Sequence, residues 1–217
     1  MKRIIIFSAT LFCVIAAKAQ VEFGIFGGAN ASTASYSIKG HEQITKYKYG
    51  FHLGVGYKIP FDNHLFFSPA IILRTLGYKV AFNQPSFPPD LLASDNNTTF
   101  KEADVDILLQ YDLSKKSHTF FFKAGPSFNF ILFGKEKYNL VTGEYVNRSM
   151  KFSVINGYSR YNVSAVVQFG FQTATGFVVY ANYMHELLSM DNEEQGPTIQ
   201  NSLMSITVGK ILRHKKL

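Results

Sequence analysis

Few side chains in this sequence could do chemistry, and most of them stand apart. The six histidines, His41, His52, His64, His118, His185 and His214, are scattered, and no pair has the spacing of a metal-binding helix or ribbon. Ser189 follows closely on His185 and Glu186, which puts a hydroxyl, an imidazole and a carboxylate within reach of a lipid-modifying reaction. Proximity along one strand does not make a nucleophile, base and acid, however. Gly54-Val55-Gly56 lies inside an alternating stretch and not at a strand-to-helix turn, so it is not read as a phosphate cradle. One constellation has a coherent chemistry, and it is ionic. Arg74 stands about ten residues from a tight turn, Asp104 about ten and Asp106 about eight from the next one. On neighbouring antiparallel strands Arg74 would then meet both carboxylates, with Lys123 beyond them. Arg74, Asp104, Asp106 and Lys123 are therefore expected to form a buried ion-pair network. The rival reading is a proton or solute path through the same charges.

Those four residues meet only if the strands that carry them are neighbours. About eight stretches have one apolar face, beginning with 21–31, 48–59, 65–80 and 100–113 and continuing with 119–133, 161–172, 177–184 and 199–212. Residues 48–59 show the alternation clearly, with Phe51, Leu53, Val55 and Tyr57 on one face and Gly50, His52, Gly54 and Gly56 on the other. In 100–113 the pattern sets Val105, Ile107 and Leu109 against Glu102, Asp104 and Asp106. Every second connection is short: Phe61 to His64, Ser114 to His118, and Thr173 to Gly176. The others are long and polar, at about 33–47, 83–97, 134–158 and 189–198. That asymmetry predicts an all-β fold, an eight-stranded antiparallel up-and-down transmembrane β-barrel with its long loops outside the cell. An eight-stranded barrel is just wide enough for its own side chains, which favours a plug over a path.

The N-terminus reads as a secretory signal over residues 1–19, followed by a barrel domain over 20–217. Lys2 and Arg3 precede an apolar stretch from Ile4 to Ala17, and Ala17-Lys18-Ala19 predicts cleavage between Ala19 and Gln20. The single cysteine, Cys13, lies within that signal, so the mature chain has no disulfide, thiol chemistry or cysteine-bound metal. Loss of Lys2, Arg3 and Lys18 takes the formal charge from +7 to +4. No basic stripe with interleaved aromatics points to nucleic acid, and no cofactor is expected. Phe and Tyr cluster near strand ends, at Tyr57, Phe67, Tyr111, Phe120, Phe171, Phe177 and Tyr183, where interfacial girdles form. The expected location is the outer membrane of a Gram-negative bacterium, and the expected first partner is its lipid.

Four segments then carry a family resemblance: Phe23-Gly24-Ile25-Phe26-Gly27-Gly28-Ala29-Asn30, Gly50-Phe51-His52-Leu53-Gly54-Val55-Gly56, Phe67-Ser68-Pro69-Ala70-Ile71-Ile72-Leu73 and Phe122-Lys123-Ala124-Gly125-Pro126-Ser127. In this order they resemble the PorT-like outer-membrane β-barrel family of Bacteroidetes. The resemblance implies a non-enzymatic barrel with a binding, structural or export-assembly role and an envelope or secretion-machinery protein as partner. Residues 134–158, with Lys135-Glu136-Lys137-Tyr138 and Arg148, are the expected contact surface. The competing readings are a soluble lipocalin-like carrier of a small apolar ligand and a lipid-modifying barrel enzyme.

Overall fold

In a computed structural model of the chain, the structure describes residues 21–84, 89–116, 118–153 and 157–212. The expected cleavage point at Ala19 and Gln20 lies outside them, as do the four basic residues of the tail. Ten strands follow in chain order: β1 (Glu22–Ile38), β2 (His41–Glu42), β3 (Ile44–Pro60), β4 (Leu65–Ala81), β5 (Asp95–Asp112), β6 (Thr119–Asn139), β7 (Tyr145–Ser149), β8 (Tyr161–Gln172), β9 (Phe177–Glu186) and β10 (Thr198–Leu212). Eight of them form a ring in the order β1-β3-β4-β5-β6-β8-β9-β10, and β10 closes antiparallel onto β1 from Phe23↔Leu212 to Ser37↔Thr198. Closure removes both sheet edges and pairs the backbone polar groups within the wall. The short β2 and β7 are hairpin extensions at one end.

The three tight turns gather at one end of the ring and the longer connections at the other; these are the turn end and the loop end below. From the turn end upward, alternate outward side chains are exposed and apolar. Phe51, Leu53 and Val55 of β3, Ile71 and Leu73 of β4, and Val105, Ile107 and Leu109 of β5 form half of this belt. Val167 and Phe169 of β8, Val179 of β9, and Met204, Ile206 and Val208 of β10 continue it. Aqueous solution would penalise a belt of this extent; hydrocarbon does not. Aromatic pairs sit low on it, among them Phe23–Tyr57 at 5.4 Å and Phe120–Phe171 at 4.9 Å between ring centroids.

Two of the expected long loops are largely strand. The stretch read as a loop over 33–47 is a continuous hairpin, turning at Lys39 and Gly40, both with positive φ, as a two-residue hairpin turn requires. Most of the segment 134–158 extends β6 to Asn139 and returns as β7. The cause is a change of polarity along several strands, β1 among them. In β1 the inward positions are Gly24, Phe26, Gly28, Asn30 and Ser32 low down, but Ala34, Tyr36 and Ile38 above. The period of two persists while the apolar face moves from outside to inside. With Tyr78, Val80, Phe100, Tyr138, Met150, Tyr158, Met190 and Ile199, these upper residues form a buried apolar core inside the loop end.

Glycines let interior side chains cross the wall. His52 lies over Gly28 and makes a 2.9 Å hydrogen bond with the Thr207 hydroxyl, so β3 is stapled to β10 across the intervening β1. A Cβ on Gly28 would meet the Ile206 carbonyl and approach the His52 ring at 2.9 Å.

Candidate functional site

The belt forces the charged side chains of the wall inward, because an ion facing lipid would find neither water nor a counter-charge. Arg74, of β4, stands directly opposite Glu102 of β5. Its guanidinium Nε reaches the Asp104 carboxylate and lies 4.0 Å from Glu102 Oε1, all three side chains being almost wholly buried. Asn129 of β6 donates to Asp104 Oδ1 at 2.7 Å, and the Ser164 hydroxyl of β8 donates to Asn129 at 2.6 Å. One ion pair and two hydrogen bonds thus link β4, β5, β6 and β8 along the inner wall. Asp106 is buried one inward step below Asp104 and faces Ser127 across the strand pair.

Lys123 stands one level below this cluster and lines the same small cavity as Asp106. It occupies the rung of Gln110 and Gln168, four residues nearer the turn end than Ser127, or roughly 13 Å at strand rise. There its Nζ donates to the Ser68 hydroxyl at 3.0 Å and lies 5.3 Å from the Phe121 ring and 5.7 Å from that of Tyr180. Four other residues join the interior set, and strand alternation alone places them there. Glu102 shares the inward face of Asp104 and Asp106. Lys58 and Asp112 pair at 2.6 Å at the turn end, where Gln110 donates to the same carboxylate at 2.6 Å. A cavity of about 40 Å³ remains near Lys58, Ser68, Asp106 and Lys123, room for a few waters and no solute.

The loop end has its own polar centre. Glu136, fully buried in the upper part of β6, accepts from the Tyr158 hydroxyl at 2.5 Å and from Arg148 Nε at 3.0 Å. Arg148 also donates to the Pro89 carbonyl, and Val141 N–H donates to the Leu92 carbonyl at 2.8 Å, so the β6–β7 hairpin and residues 89–94 brace one another. The expected contact surface is therefore divided: Glu136 and Tyr138 point inward, whereas Lys135 and Lys137 are exposed. Ser189, His185 and Glu186 do not converge. His185 bonds to Ser202 at 2.8 Å, Glu186 is buried against Asn201 at 2.8 Å, and the Ser189 hydroxyl accepts from Asp191 and Ile199 N–H.

Asp191, in the connection between β9 and β10, is one titrating group of this end. Burial, then the nearby Glu193 carboxylate, push its carboxyl up to about 7 from 3.8. The folded loop thus favours the protonated form. The stability this lends is complete below about pH 4 and is lost as pH rises through 7. Hydrogen exchange across 187–197, corrected for its intrinsic pH dependence, is expected to accelerate between pH 4 and 8. In Asp191→Asn that acceleration should vanish, and its persistence would assign the effect to another group.

The sequence pattern of the outer membrane protein beta-barrel domain matches residues 16–192. No curated protein matches the sequence. Among solved structures, the chain is similar to Ail, the attachment invasion locus protein of Yersinia pestis, with 16% identity, 89% of this chain and 99% of that one covered, and a TM-score of 0.45. It is also similar to OprG of Pseudomonas aeruginosa, with 10% identity, coverage of 90% and 98%, and a TM-score of 0.47. For the neisserial surface protein NspA the values are 12%, 87% and 96%, and 0.41.

Proposed function

The chain belongs to the outer membrane protein beta-barrel domain family and sits in the outer membrane of a Gram-negative bacterium, and from that premise we propose a non-enzymatic barrel, closed to diffusion, that acts through its loop end. The observation that carries this reading is the double closure of the lumen. Arg74, Glu102, Asp104 and Asn129 fill its middle, and Tyr36, Tyr78, Tyr138 and Tyr158 fill it above. A channel needs a continuous wet lumen; a lipid-modifying enzyme needs its nucleophile and base in contact. What remains for solvent is an outward-braced hairpin with exposed Leu91, Leu92, Val141 and Tyr145, turned toward the cell exterior and suited to a protein partner. The motifs around Gly28, Gly54, Pro69 and Pro126 support the PorT-like, Bacteroidetes assignment and with it an export-assembly role.

Two measurements test this. In planar bilayers the purified barrel should give no stepwise conductance; discrete openings would overturn the plug. Extraction of outer membranes in mild detergent should recover the barrel with a stoichiometric envelope protein, lost when Leu91, Leu92 and Val141 are changed to Ser. A barrel that elutes alone from native membranes would remove the partner.

A further inference from the structure

On the outer face of β3 to β6, the apolar belt gives way to lysine. Above Tyr49 of β3 comes Lys46, above Leu73 of β4 come Thr75, Gly77 and then Lys79, and above Phe133 of β6 come Lys135 and Lys137, all four lysines exposed. The strand pairing aligns them: Lys46 is directly opposite Lys79, Lys79 opposite Asn97, and Asn97 opposite Lys137. Lys48 completes the group. Its stem lies over Gly77, where a Cβ would meet the Lys48 Cδ at 3.2 Å, and its Nζ donates to Asn97 Oδ1 at 2.6 Å and to the Thr99 hydroxyl. Among the described residues none of the five makes an ion pair within 4.0 Å. Asp95, on the same face, is held by Asn139 through both carboxylate oxygens at 2.8 Å.

Like charges directly opposed across a strand pair cost stability unless an anion lies between them. The row borders a cleft of about 320 Å³ floored by Asn97 and flanked by Lys46, Lys79, Lys137 and Tyr145, with the Asp95 carboxylate at its edge. Its position fixes the kind of anion. It sits on the loop-end side of the apolar belt, beyond Tyr49 and Phe133, where a basic cluster can meet phosphorylated headgroups. We propose that this row is a docking site for the phosphorylated headgroup of an outer-leaflet glycolipid, with Lys46, Lys79 and Lys137 as the phosphate-binding cations. The acyl chains of that lipid would run past Tyr49 and Thr75 to Phe51, Leu53, Ile71 and Leu73 lower on the wall. The site rests on the outer-membrane placement and shares Tyr145 with the hairpin surface proposed for a protein partner.

The test uses the intact folded protein in dodecyl maltoside, titrated with phosphorylated lipid A or with the same lipid A after phosphatase treatment. The readout is the temperature at which the compact gel band converts to the extended one. Phosphorylated lipid A should raise that temperature in the natural protein. K46Q/K79Q/K137Q should need at least tenfold more lipid for the same shift, K46R/K79R/K137R should respond normally, and K115Q/K116Q at the turn end should match the natural protein. The lipid-free conversion temperature of each variant separates folding defects from binding defects. An equal response to dephosphorylated lipid A, an unchanged response of the glutamine variant, or an equal shift with inorganic polyphosphate alone would each overturn the proposal.

Discussion

Arg74→Met is expected to lower the stability of the folded barrel by about 3–5 kcal/mol. The change removes the guanidinium that lies between the buried carboxylates of Glu102 and Asp104. Neither can turn to lipid, and neither has water to take its place. Breaking a buried pair costs more than the pair itself contributes, because an uncompensated charge remains behind. Adding Asp104→Asn to Arg74→Met should therefore destabilise less than the sum of the two single changes, a coupling expected between residues in contact. Urea midpoints in detergent micelles, followed by loss of β circular dichroism, measure this. Wild-type midpoints in both single variants would show that the network contributes nothing to stability.

Gly28→Val should cost about 3 kcal/mol by overpacking and loosen the seam. Its Cβ would strike the Ile206 carbonyl, which is main chain and cannot rotate away, while also pressing the His52 ring. The pairing from Phe23↔Leu212 to Ser37↔Thr198 is what converts a sheet into a ring, so the strain falls on the closing contact. The expected result is a compact gel band that converts to the extended form at a markedly lower temperature, with loss of the His52–Thr207 staple. Gly40→Ala gives the comparison: it too is a glycine, but open space surrounds it and only its positive φ is affected. Equal conversion temperatures for Gly28→Val and the natural protein would show that the seam can yield.

What the sequence revealed, and what it hid, follows from the solvent around each segment. Within the belt, alternation such as Phe51-His52-Leu53-Gly54-Val55 sorts lipid from lumen without ambiguity, and the eight staves with their three tight turns were legible from it. Higher up, Thr33 to Ile38 keeps the same period with the polar residues outside, so a search for one continuous apolar face stops at the change and reads a loop. Within the candidate network, distance from a turn placed Arg74 near Asp104, but register decided its direct neighbour, which is Glu102. The same lack of register hid that Lys123 stands a level below the carboxylates and meets Asp106 only across a small cavity. Lys58–Asp112 and Glu136–Tyr158 depend on contacts between strands far apart in sequence, for which no local pattern exists.

The exchange of inside for outside along β1, β4 and β6 means that one chain is folded by two solvents. The lower barrel gains nothing from the aversion of water to oil, since its apolar residues meet oil in either case; it is held by internal polar bonds. Tyr36, Tyr78, Tyr138 and Tyr158 form an ordinary aqueous core above it. Denaturation of that upper storey should carry the positive heat-capacity change of exposed apolar surface, and that of the lower storey almost none. Cooling would then weaken the part facing the environment while leaving the membrane anchor unaffected, so temperature alone could loosen the loop end of a barrel that never leaves its bilayer.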